Sequence, residues 1–385
     1  MRRLDLATLI PDQLICHGAL DFDLRPKGIS PRRLPDWTRP QVPRMMDVIV
    51  RMPSGVRLVF DTDATEISVT ALATNLVTPP ATKRPVVMDL TCEGATYSIE
   101  NLEGNTIFLD HKDPSKVDLV RGKAAEWQFA GLPGHMKRCE VWLPQNAMIE
   151  LRYLSLSEGA SLQLPSSEKR LKWIHHGSSI SHCMEADQPS LTWPAVAATE
   201  LDWCLQSLGF GGQCHLDPFV ARTMAQSDAD ILSIKAGINI VNMDSMRERI
   251  FGPLLHGFLD TLREHKPDAP IILISPIYCP SAEQHPGPTV PNPSGKFVVI
   301  AGHEEVRKES LSLTRIRTLM TELVRRRQDP NLHYMDGLSL FGEADRVDLP
   351  DDLHPNPAGY VRMGQRFAAF ASKLQNIPGS LEQLG

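Results

Sequence analysis

The sequence has 385 residues, of which 42% are hydrophobic and 22% charged, with 46 acidic against 40 basic side chains and a formal net charge of −6. This composition supports a sizeable buried core and excludes wholesale disorder, and the length exceeds what one ordinary core fills, so two domains are expected. The negative balance and the lack of a basic arm argue against a nucleic-acid partner, and no apolar run approaches the roughly 20 residues that span a bilayer, so membrane insertion is not expected.

The chain begins Met1-Arg2-Arg3-Leu4-Asp5, with the charges of an export signal but without its long apolar centre or small-residue cleavage site. The seven cysteines, scattered from Cys16 to Cys279, form no Cys-x-x-Cys pair. Reduced thiols and a cytoplasmic location are therefore expected. Residues 12–43 are proline-punctuated and read as an irregular surface segment.

From about Met46 to Leu154 short runs alternate apolar and polar residues at period two. Residues 47–52, 56–61, 66–71, 139–143 and 149–154 are predicted strands, each with one face inward. Strands at such short intervals without a long helix predict an antiparallel β-sandwich. Residues 155–170 are small and polar and read as a linker, giving an N-terminal domain over 1–168 and a second over 169–385.

Beyond the linker the texture changes to alternating strands and helices. Runs at 171–174, 204–210, 230–234, 271–275 and 333–335 predict parallel strands, and residues 253–264 and 304–327 predict helices. Asp217-Pro218 and Asn356-Pro357 read as helix starts, an N-cap oxygen followed by proline at the first helical position. This order predicts an α/β domain, a three-layer αβα arrangement whose ligands bind beyond the carboxyl ends of the strands. A proline-rich insertion, Pro276 to Pro293, follows the fourth strand and is expected to form a pocket wall.

The apolar run Lys172-Trp173-Ile174-His175-His176 leads directly into Gly177-Ser178-Ser179, which places a hydroxyl on a tight turn at a strand end. A serine hydroxyl is a poor nucleophile near its free pKa and needs an imidazole to take its proton and a carboxylate to hold that ring. Asp351-Asp352-Leu353-His354 supplies both on one loop: His354 is the candidate base and Asp351, three residues before it, the expected partner, with Asp352 as the alternative. His215 is either a substrate contact or a helix-entry histidine satisfied by backbone. Trp173 and Trp193 read as core.

With these residues the chain resembles the SGNH hydrolases, the GDSL esterase and lipase family, over roughly residues 170–375. Gly177-Ser178-Ser179-Ile180 resembles the first block, with Ser178 where the family name has aspartate. Leu208-Gly209-Phe210-Gly211-Gly212 resembles the second, Lys235-Ala236-Gly237-Ile238-Asn239-Ile240 the third, with Ile240 in place of aspartate, and Asp351-Asp352-Leu353-His354 the last, with Asp352 where glycine is common. The resemblance implies Ser179, Asp351 and His354 as catalytic residues. It implies an oxyanion hole from the backbone N–H of Ser179, that of Gly212 or the adjacent Gly211, and the side-chain amide of Asn239. Family members with an added N-terminal β domain of jelly-roll type are similar.

The activity implied is that of a serine esterase acting on an ester or thioester of a small molecule or carbohydrate. An acyltransferase using the same residues, with a natural-product or sugar hydroxyl as acceptor, is one alternative, and a non-catalytic carbohydrate-binding protein is another. No cofactor is expected. His175, His176, His182 and Cys183 cluster in sequence, but no paired ligand spacing recurs elsewhere, so no metal site is expected. Gly209-Phe210-Gly211-Gly212 lacks the spacing of a nucleotide loop. Oligomeric state is not legible.

Overall fold

A computed structural model of the chain describes residues 1–79, 81–110, 116–300 and 302–374. It separates into two compact units, Met1–Lys169 with Asp187–Ser190, and Arg170–Ala186 with Leu191–Gly385.

The first unit carries strands β1 (Arg2–Asp5), β2 (Ile15–His17), β3 (Asp21–Arg25), β4 (Gly28–Arg32), β5 (Arg57–Thr62), β6 (Glu66–Val77) and β7 (Val86–Cys92). They are followed by β8 (Ala95–Asn101), β9 (Asn105–Leu109), β10 (Val117–Val120), β11 (Ala125–Ala130), β12 (Lys137–Trp142), β13 (Ala147–Leu156) and β14 (Leu162–Gln163). One sheet of eight strands runs β10-β9-β6-β13-β4-β3, with β1 also on β13 and β11 on β6; a six-stranded sheet runs β14-β5-β12-β7-β8 with β2 on β5. Period-two patterning decides which side chains enter the core. In β11, Ala125, Trp127 and Phe129 are buried while Glu126, Gln128 and Ala130 are exposed. Both sheets feed one apolar cluster, which includes Phe60, Met88, Trp127, Phe129, Val141 and Leu151. Each fully buried Phe or Leu there contributes about 1.5–3 kcal/mol relative to an exposed one.

Four sequence expectations change here. Residues 47–52 are not a strand: α2 (Arg44–Val50), preceded by the short α1 (Leu6–Leu9), buries Met46, Ile49 and Val50, the i, i+3, i+4 spacing of one helical face. Residues 12–43 are not wholly irregular, because β3 and β4 pair as a hairpin. The pairing is not purely antiparallel, since β6 and β9 run parallel. Finally, the expected linker begins inside β13 and contains β14, which pairs with β5.

In the second unit β15 (Leu171–Gly177), β16 (Trp203–Gly209), β17 (Ile231–Lys235), β18 (Ile271–Ile274) and, after a two-stranded hairpin of β19 (Thr289–Pro291) and β20 (Phe297–Val299), β21 (Leu332–Met335) supply the strands. All five strands of the main sheet are parallel, in the order β16-β15-β17-β18-β21. Every residue of β17 and β18 is buried, as expected of strands covered on both faces. The helices are α3 (Ser179–His182), α4 (Trp193–Glu200), α5 (Pro218–Gln226), α6 (Ile238–Asn242), α7 (Glu248–His265), α8 (Glu304–Arg307), α9 (Leu313–Arg327), α10 (Gly337–Leu340) and α11 (Pro357–Ala371). Asn356 caps α11 by accepting from the N–H of Gly359 at 2.8 Å, whereas Asp217 before α5 makes no side-chain cap. The single helix expected over 304–327 is broken, because Ser312 caps a fresh start at α9. No helix among the described residues is long and apolar enough to cross a membrane.

The chain leaves β15 for β16 on one side and returns to β17 on the other, so the strand order reverses at β15. Connections leaving such a switch point diverge and open a crevice beyond the carboxyl end of the strand. Gly177 ends β15 at that crevice.

Candidate active site

Ser178 replaces the aspartate of the resembled motif and acts as the N-cap of α3, its hydroxyl accepting from the N–H of Ile180 at 3.3 Å. From Trp173 to Cys183 every residue is buried except Ser179, which is half-buried. The turn is compressed against the sheet. A Cβ on Gly177 would lie 2.2 Å from Ser181 Oγ, and one on Gly209 would lie 2.5 Å from the backbone of Ser181. Only glycine lets the two strand ends approach the turn this closely.

Beneath the turn lies a second serine–histidine pair. His175 Nε2 is 2.8 Å from Ser181 Oγ, and its Nδ1 is 2.7 Å from Ser233 Oγ, which also accepts from the indole N–H of Trp173 at 2.8 Å. Both His175 and Ser181 are fully buried. Burial, then the neighbouring His176 and Lys235, keeps His175 well below the ordinary histidine pKa, so it is neutral. This pair fixes the turn and has no opening to a substrate. The sequence cluster of His175, His176, His182 and Cys183 is thus core; among the described residues no group of three or more potential metal ligands is arranged around a common point.

Ser179 Oγ is 2.9 Å from His354 Nε2, and His354 Nδ1 is 2.7 Å from Asp351 Oδ2. The other oxygen of Asp351 accepts from the backbone N–H groups of Leu353 at 2.9 Å and His354 at 2.6 Å, so the carboxylate is held by its own loop. Asp352 points elsewhere, to Lys296 Nζ at 3.0 Å. Burial opposes protonation of His354, as does Lys235, but the charge of Glu185 and the hydrogen bond and charge of Asp351 outweigh them and raise its pKa above the ordinary value. Burial likewise works against the Asp351 carboxylate, yet the bond and charge of His354 and the two N–H donors hold its pKa below the usual range.

The segment after β16 turns sharply at Phe210–Gln213, closed by a 3.0 Å bond from the N–H of Gln213 to the carbonyl of Phe210 and tied to β15 by the N–H of Phe210 on the carbonyl of Gly177 at 2.8 Å. Gly212 sits in this turn with φ +69°, a left-handed conformation. Asn239 lies in the first turn of α6 and is nearly buried. Its Oδ1 accepts from the N–H of Cys214 at 3.0 Å, which forces the amide orientation and leaves Nδ2 as a donor that no described protein group takes up. His215 is satisfied by Ser245 Oγ at 3.0 Å and the carbonyl of Gly212 at 3.2 Å.

Three residues that sequence reading did not single out bear on the site. Glu185, six residues after Ser179, accepts from the hydroxyl of Tyr360 at 2.7 Å, and Tyr360 lies six residues after His354. The nucleophile turn and the start of α11 are therefore linked twice, at Ser179–His354 and at Glu185–Tyr360. Lys235 is buried at the end of β17, and burial lowers its pKa to about 8. Only its place in the third block pointed to it.

Residues 176–362 match the GDSL-like Lipase/Acylhydrolase family. A GDSL-like lipase/acylhydrolase domain therefore occupies that segment. Solved structures resemble the chain over nearly its whole length, beyond the GDSL-like domain. A salicylyl-acyltransferase, SsfX3, from a tetracycline biosynthetic pathway shares 26% identity at a TM-score of 0.78, covering 96% of this chain and 97% of its own. A Bacteroides ovatus protein described as a GDSL-like lipase shares 17% identity at a TM-score of 0.67, with 97% of each chain covered. A family two carbohydrate esterase from Clostridium thermocellum shares 15% identity at a TM-score of 0.58, covering 96% of this chain and 99% of its own. The last two are similar in fold. No curated protein matches the chain.

Proposed function

We propose that the protein is a serine esterase that works through an acyl-enzyme on Ser179. The observation that carries this reading is the continuous relay from Ser179 Oγ through His354 to Asp351, at 2.9 and 2.7 Å, on the one residue of the turn that is not fully buried. Ser179 Oγ attacks the ester or thioester carbonyl while its proton passes to His354 Nε2, and Asp351 stabilises the imidazolium. The carbonyl oxygen takes up negative charge and is held by the N–H groups of Ser179 and Gly212 and by Nδ2 of Asn239. As the tetrahedral adduct collapses, the bond to the leaving group breaks and His354 returns its proton to that group. Water, activated by His354, then releases the acid and restores the Ser179 hydroxyl.

A second reading, transfer of the acyl group to a natural-product or sugar hydroxyl in place of water, is favoured by likeness to the salicylyl-acyltransferase along both chains. On either reading no metal or cofactor takes part, the substrate is a small-molecule or carbohydrate ester, and residues 169–385 make up a three-layer αβα catalytic domain. The two sheets of residues 1–168 form a jelly-roll-like sandwich. Turnover of p-nitrophenyl acetate tests the proposal: wild type should release nitrophenolate and Ser179→Ala should lose at least about 10³-fold in kcat. Equal rates would reject it.

A further inference from the structure

The β19–β20 hairpin lies in the insertion after β18 and is fastened to the loop that carries His354. The backbone N–H of Phe297 donates to the carbonyl of Asp351 at 2.9 Å, and Lys296 Nζ pairs with the Asp352 carboxylate at 3.0 Å. The Phe297 ring stands edge-to-face on the His354 imidazole, with centroids 5.8 Å apart and planes at 79°. On the hairpin's other strand, β19 packs against α6, the helix that carries Asn239. Alternation along β20 puts Phe297 and Val299 on the inward, half-buried face and Val298 outward.

His354 has little freedom to meet a reactant. Its Nδ1 is taken by Asp351 and its Nε2 faces Ser179, so any hydroxyl that delivers a proton to Nε2 approaches along the ring that Phe297 flanks. That approach belongs to the leaving alcohol in the first half-reaction and to the incoming one in the second.

We propose that Phe297 determines acceptor specificity: its half-open ring face forms an apolar wall beside His354 that favours a ring-bearing hydroxyl compound over water or a small alcohol. This rests on the acyl-enzyme reading above. In the step concerned the acceptor oxygen bonds to the acyl carbonyl carbon, its proton moves to His354 Nε2, the Ser179 C–O bond breaks, and Ser179 Oγ takes the proton from His354. An aromatic or alicyclic ring gains contact area and favourable edge-to-face geometry on Phe297, whereas methanol gains neither.

The test is partitioning of the acyl-enzyme. Enzyme acylated by p-nitrophenyl acetate is offered benzyl alcohol or methanol at equal concentration, and benzyl acetate, methyl acetate and free acetate are quantified. Wild type should prefer benzyl alcohol. Phe297→Ala should lose that preference by about tenfold, the discrimination that a modest apolar contact carries, in a product ratio set after acylation and so independent of the rate of nitrophenolate release. Val298→Ala, on the outward face of the same strand, should keep the wild-type ratio. An unchanged ratio in Phe297→Ala, or an equal loss in Val298→Ala, would overturn the assignment to Phe297 while leaving the esterase reading intact. Failure of wild type to form an acyl-enzyme would overturn both.

Discussion

Ser179 and Ser181 are two residues apart, each bonded to a histidine, yet only Ser179 reaches the surface. Distance to an imidazole therefore does not identify a nucleophile unless burial is weighed with it. The two adjacent aspartates divide in the same way. Asp351→Asn should lower kcat by about 10⁴-fold, because the amide no longer fixes the histidine tautomer, while Asp352→Asn should keep most of the activity. Loss in Asp352→Asn alone would reverse the assignment. Truncating Asn239 to alanine should cost about 10²–10³-fold in kcat with little change in KM, as expected of a donor used in the transition state. His354 is basic only when neutral, and its raised pKa means that kcat/KM falls as pH drops through a value above the ordinary histidine range. Glu185→Gln removes the negative charge that works with Asp351 against burial and Lys235, so the acid limb of the profile should move to lower pH. A limb that stays in place would show that Glu185 only braces Tyr360. Ser179, Asp351 and His354 could be picked out as candidates because their residue types and spacing resemble a known family's blocks, and the fold brings the three side chains together. Glu185 and Tyr360 could not, since neither carries a motif of its own and their bond exists only once the chain folds.

The turn that carries Ser179 illustrates how secondary-structure elements set the position of a hydroxyl that no single residue specifies. Two strand ends press on α3, Gly209 on its backbone and Gly177 on the Ser181 side chain, so closely that an added methyl overlaps each. Gly209→Ala should therefore destabilise the protein by about 1–3 kcal/mol and depress activity beyond that, by shifting Ser179 relative to His354. Thermal melts and kcat measured on the same preparation would separate the two effects. Strands of the parallel sheet were legible because continuous apolar runs bounded by turn residues have few other solutions. The segment around Asp47–Met52 misled because six residues such as Asp-Val-Ile-Val-Arg-Met fit either period; upstream, Pro43 stands at the N-cap and Met46 joins Ile49 and Val50 on the helical face that wins. The interruption before α9 was hidden for a similar reason, since Ser312 reads as a polar face position until its hydroxyl is seen to cap. Of the hairpin only β19 fell inside the expected insertion, Pro276 to Pro293; β20 and Phe297 lie beyond it, and nothing in the sequence locates Phe297 against His354.

Across the molecule as a whole, the thiols are kept inside. All seven cysteines are free and buried, and burial raises the Cys16, Cys139 and Cys214 thiols to about 12. The native protein should thus resist thiol reagents at neutral pH, with seven groups reacting only in denaturant; rapid labelling of the folded chain would contradict this packing. The second unit also gathers Trp193, Trp203 and Phe367 around Trp173, with Phe367 stacked on it at 4.9 Å and His175 edge-on to Trp193 at 4.7 Å. Indoles shielded from water emit at shorter wavelength, so this cluster is a built-in optical reporter of the unit that bears Ser179. Because the adjacent imidazole is held uncharged, it supplies no protonated quencher, and the emission should stay level while His354 titrates and the reaction rate changes.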